Sequence, residues 1–78
     1  MTDDDYRLLE FEESHPKLDS RKESIVLEVF GAPIGTYYLR LFTLIEEPEV
    51  VATYPAMSRR LARLRSRQHR LSTRAEAD

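Results

Sequence analysis

Seven arginines crowd the last third of this 78-residue chain, and their spacing is the feature with the clearest chemical consequence. On a helix turning about 100° per residue, Arg59, Arg60, Arg63, Arg67, Arg70 and Arg74 share one stripe about 100° wide, and Arg65 falls on another flank. Like charges one turn apart repel by a few tenths of a kcal/mol each, so such a stripe gains stability only when an anion faces it. Phosphate is the first candidate. Guanidinium binds it bidentately, and released counterions drive association with a nucleic-acid backbone. The alternatives are a solvated face or internal pairing with Glu10, Glu12 and Glu13.

A second pattern lies upstream, between Glu23 and Leu41. Val26 and Phe30 are spaced to pack inward, Gly31 stands at a turn, and Tyr37 and Leu41 anchor the helix that follows. Two helices joined by a tight glycine turn make a helix-turn-helix unit, whose second helix can enter a major groove. An ordinary helical hairpin with a glycine turn has the same spacing. With the apolar side inward, Gly35, Thr36, Leu39, Arg40 and Thr43 project outward. Arg40 can bond guanine bidentately, Thr36 and Thr43 can reach bases or phosphates, and Leu39 can touch a thymine methyl or a protein. Tyr38 is expected to add a phosphate contact. Glu46 and Glu47, at the far end of the helix, would repel phosphates.

These residues need helices to hold them, and the sequence marks where the helices start and stop. Asp4 to about Ser14 reads as a helix with Tyr6, Leu8 and Leu9 on its apolar side, its acidic start matching the positive end of the helix dipole. His15-Pro16 ends it. Ser20 with Glu23 has capping-box spacing, and Ile25, Val26, Val29 and Phe30 follow at helical intervals up to Gly31 as the C-terminal stop. Pro33 reads as a first-turn proline of a helix running to about Glu46, with Ile34, Tyr37, Tyr38, Leu41, Leu44 and Ile45 inward. Pro48 closes that helix, a short turn spans about Glu49 to Ala52, and Pro55 opens a last helix reaching about Ser72. In it Met57, Leu61, Leu64, Gln68 and Leu71 form one narrow seam, suited to packing on the body and, toward Leu71, to a homodimer.

Composition bounds the rest. A chain this short buries only about 60% of its unfolded surface, so its core is thin. No cysteine is present, which excludes a disulfide framework and a cysteine zinc site. The two histidines, His15 and His69, stand far apart in polar settings, so no metal site is expected. With two glycines there is no phosphate-cradling loop, and no catalytic constellation is visible: the expectation is a protein that is not an enzyme and takes no cofactor. Glu12 and Glu13, adjacent in sequence, read as solvated surface. No apolar run reaches the ~20 residues of a membrane span, and Asp3, Asp4 and Asp5 are the opposite of a signal-peptide start, so a cytoplasmic protein is expected. The net charge of −2 conceals an asymmetry: residues 1–57 carry twelve acidic and five basic groups, residues 58–78 two acidic groups and seven arginines. The chain therefore divides into an acidic helical body (1–57, helix-turn-helix about 21–46) and a basic helix and tail (58–78), within one domain.

Leu8-Leu9-Glu10-Phe11-Glu12, Lys22-Glu23, Phe30-Gly31, Tyr37-Tyr38, Leu44-Ile45, Pro48-Glu49, Pro55 and Arg60-Leu61-x-Arg63-Leu64-Arg65 together resemble a family of short actinobacterial proteins of unknown function, also found in actinobacterial phages. The resemblance runs from about Leu8 to Arg70 and implies a helix-turn-helix-like, DNA-binding protein. The chain departs from that family pattern at His15-Pro16, where relatives tend to be aromatic, and at Pro33, where they have a serine cap. It departs again at Gly35-Thr36 and Leu39, where they are more polar or basic. The expectation is thus an all-α, small helix-turn-helix bundle with an extended basic C-terminal helix. Its leading function is transcription-associated binding of double-stranded DNA. The alternative is an interaction module for a protein such as RNA polymerase, of host or phage origin.

Overall fold

A computed structural model describes the backbone of residues 1–77 and the side chains through Gln68. Five helices follow one another: α1 (Asp3–Ser14), α2 (Ser20–Phe30), α3 (Ile34–Leu44), α4 (Pro48–Thr53) and α5 (Pro55–Ala77), with no strand among the described residues. The all-α expectation holds. No single helix among them is long and apolar enough to cross a membrane. The helices fall into two compact units, Met1–Leu44 and Ile45–Asp78. The division comes after α3, not near residue 57, so α4 belongs with the basic helix.

The helix ends show why the chain breaks where it does. Thr2 caps α1 in a reciprocal box: its hydroxyl accepts from the Asp5 N–H at 3.2 Å, and Asp5 Oδ2 accepts from the Thr2 N–H at 2.9 Å. Such a cap contributes about 1 kcal/mol. The cap of α2 is Asp19, whose carboxylate accepts from the Lys22 N–H at 2.9 Å; the expected Ser20–Glu23 box does not form, because Ser20 is already helical and the extended residue ahead of it is Asp19. Gly31 ends α2 at φ 64°, ψ 26°, in the left-handed region where a Cβ would be strained. Pro33 stands just ahead of α3, its carbonyl accepting from the Tyr37 N–H at 3.0 Å. Pro48 is the first residue of α4 and Pro55 the first of α5, positions where the missing N–H costs nothing.

In the first unit α1 and α2 both pack against α3. Leu8, Leu9, Val26, Tyr37 and Leu41 are buried, each aliphatic contributing about 1.5–3 kcal/mol. An aromatic spine joins the three helices: Phe11 meets Phe30 at 5.4 Å and Tyr37 at 6.0 Å, both edge-on, and Tyr37 meets Tyr38 at 5.2 Å. Two residues expected inward are exposed instead. Tyr6 lies off the stripe set by Leu8 and Leu9, whereas Val29, close to the C-terminal end of α2, is exposed although its register is within about 60° of Val26. In the second unit α4 packs on α5, and Val50, Met57 and Leu61 are buried. Along the expected seam of α5, Leu64 is only half-buried and Gln68 exposed. Leu71 and His69 lie outside the residues whose side chains are described.

Candidate functional site

The turn from Gly31 to Pro33 redirects the chain by 79° between α2 and α3. Tyr37, Tyr38, Leu41, Phe42 and Leu44 fill the inner side of α3, so its outer side consists of Gly35, Thr36, Leu39, Arg40 and Thr43. That is the face the hydrophobic spacing anticipates. Among the described residues Leu39 is the most open of the large apolar side chains, 66% exposed. Thr43 turns its hydroxyl back to donate to the Leu39 carbonyl at 3.1 Å, leaving only its lone pairs for an outside group. Arg40, the one cation of α3, lies 3.5 Å from the carboxylate of Asp5 on α1. The Asp5 carboxyl titrates below its ordinary value of 3.8. The hydrogen bond from the Thr2 N–H is the main cause, and the Thr2 hydroxyl and the Arg40 charge act in the same direction against the opposing effect of desolvation.

Tyr38 does not stand on that face. It is 5% exposed, and its hydroxyl accepts from Lys22 Nζ at 2.8 Å inside the unit, so the expected phosphate contact is corrected: a phosphate cannot reach it. Lys22 in turn donates to Glu12 Oε1 at 2.7 Å, and Tyr37 donates to the same oxygen at 2.7 Å. Glu12, expected in solvent, is fully buried, and Lys22 is buried with it. The ammonium also sits 5.0 Å from the Tyr38 ring centre and 5.7 Å from that of Tyr37. One cation from α2 and one anion from α1 thus grip two consecutive tyrosines of α3. A buried pair of this kind contributes little net stability against apolar residues of the same volume, but removing one partner strands a charge in the core. Its effect is to set where α3 sits against α1 and α2, which positions the exposed face.

The signal for this cluster is present in the helix registers. Leu8, Leu9 and Glu12 share one stripe of α1, and Lys22 and Val26 share one stripe of α2. An acid at a core position of one helix and a base at a core position of the next is the pattern of a buried pair; reading Glu12 beside Glu13 as surface overlooks that the two point about 100° apart.

On α5, Arg59, Arg63 and Arg67 recur every fourth residue and are exposed. Among the described residues none of the three has an acidic partner. Arg60 is half-buried, and Arg65, on its separate flank, donates to Glu46 Oε1 at 3.2 Å. Arg70 and Arg74 lie outside the residues whose side chains are described. Glu12 is engaged by Lys22, which removes it from the acids expected to pair with the arginine stripe. No group of acids and histidines able to hold a metal ion occurs among the described residues.

One protein-family model, described as a protein of unknown function (DUF3263), matches residues 1–74. No curated protein and no solved structure matches the chain.

Proposed function

We propose that this chain, which belongs to the DUF3263 family, is a non-enzymatic, cytoplasmic DNA-binding protein acting in transcription control. The observation that carries this reading is the ridge of Arg59, Arg63 and Arg67, three exposed guanidiniums on successive turns with no acid facing them among the described residues. Uncompensated like charge is unfavourable until an anion meets it, and polymeric phosphate offers anions at matching intervals. The α2–α3 pair supports the reading. Its 79° turn is a little below the roughly 90–120° of helix-turn-helix units, and α3 itself carries no acidic residue. In this reading α3 approaches the major groove and the arginines bind phosphates. The resemblance to short actinobacterial and phage proteins fits a compact regulator of this type.

The test is anisotropy of a labelled DNA duplex with the wild type and with the variant Arg59→Gln/Arg63→Gln/Arg67→Gln. Loss of three phosphate contacts is expected to flatten the log–log salt dependence by about 2.7. Equal slopes for the two proteins refute the ridge as the binding element. A second reading rests on Leu39, whose 66% exposure suits a protein contact better than a groove. For a protein partner such as RNA polymerase, Leu39→Ala abolishes binding and the arginine variant does not.

A further inference from the structure

The reading face of α3 has a single cation, and an acid from another helix already holds it. Arg40 Nη2 lies 3.5 Å from Asp5 Oδ1, with side-chain exposures of 43% and 21%. Asp5 cannot swing away freely, because its other oxygen accepts from the Thr2 N–H at 2.9 Å and closes the capping box of α1. The hydrogen bond that starts α1 therefore also fixes a negative charge beside the outer side of α3.

From this geometry we infer that Asp5 is a specificity-determining residue that competes with DNA for Arg40. The inference rests on the DNA-binding reading above and adds a control to it. A phosphate or a guanine edge must share Arg40 with, or take it from, a carboxylate that the Thr2 cap holds in place. Phosphates near Arg40 also meet the charge of Asp5 itself. Binding by α3 is thus held weak, and a site with enough further contacts is needed to draw Arg40 out. Promiscuous attraction to any duplex is left to the arginines of α5.

Asp5→Asn separates these effects, since the amide oxygen still accepts from the Thr2 N–H while the charge is gone. Three proteins are titrated with a labelled duplex at low salt beside the wild type: Asp5→Asn, Asp5→Asn/Arg40→Ala, and Asp4→Asn. Asp4 pairs with the exposed Arg7 at 3.5 Å, so its variant makes the same change in net charge away from Arg40. Releasing a partly exposed pair is expected to tighten binding by Asp5→Asn roughly two- to five-fold. The gain should vanish when Arg40 is also replaced and be smaller in Asp4→Asn. Wild-type binding with no gain in Asp5→Asn, a gain that survives Arg40→Ala, or an equal gain in Asp4→Asn overturns the inference and leaves the DNA-binding reading standing. Binding by Asp5→Asn alone supports it, and no binding by any of the proteins overturns both.

Discussion

Replacing Lys22 by methionine keeps most of the side-chain volume and removes the cation at the centre of the first unit. Glu12 then keeps a buried carboxylate that has lost its ammonium partner while the Tyr37 hydroxyl still donates to it, and the Tyr38 hydroxyl loses the Lys22 donor. Stranding one member of a buried ion pair costs about 3–5 kcal/mol. A chain of this length has a total stability of roughly 4–12 kcal/mol, so Lys22→Met is expected to lose between about a quarter and all of it. Urea titration followed by helical circular dichroism measures this directly, the lost free energy appearing as a midpoint lower by about 2–4 M. The compensating variant Glu12→Leu/Lys22→Met removes both charges and should recover at least half of the loss. Adding Tyr38→Phe should recover what its abandoned hydroxyl costs, about 1–3 kcal/mol when buried without a donor. A Lys22→Met protein within about 1 kcal/mol of wild type would refute the claim that this cluster holds α3.

The two glycines should respond in opposite senses to alanine. Gly31→Ala places a Cβ on a residue at φ 64° and should cost about 1–2 kcal/mol by thermal denaturation, whereas Gly35→Ala, in α3 with open space at the Cβ, should add up to about 1 kcal/mol. Thr2→Ala should lose about 1 kcal/mol by removing the hydroxyl side of the α1 cap. Acid should act through Asp5 in a defined window. Its carboxyl titrates below 3.8 in the fold, so its contribution is complete above that pH and lost as the pH falls through the lowered value. Asp5→Asn should therefore flatten the acid limb of a stability–pH curve there, and an unchanged limb would count against the Thr2 hydrogen bond.

The order of the helices is legible because the chain punctuates them strongly: Pro16, Gly31, Pro48 and Pro55 each stand at or beside an observed boundary. The outer face of α3 is legible for the same reason, since Tyr37 and Leu41 set its phase unambiguously. Cap identity is not, because Asp19 and Ser20 are neighbouring acceptors and only backbone geometry chooses between them. Tyr38 misleads for another reason. A tyrosine beside a reading face can snorkel outward or bury its hydroxyl, and a buried Lys22 to bond decides it. Neither Lys22 nor Glu12 betrays its burial by residue type, since charged residues are almost never fully buried unless paired. The two residues lie ten apart on different helices, so the pair shows only when the registers of α1 and α2 are read together.

The claim that the basic helix binds polymeric phosphate is tested most directly by the salt dependence of wild-type binding to duplex DNA. Contacts from the three exposed arginines up to five of the stripe predict a log–log slope between about −2.7 and −4.5. A slope near zero, or no binding at about 50 mM salt, where phosphate contacts are strongest, would contradict it.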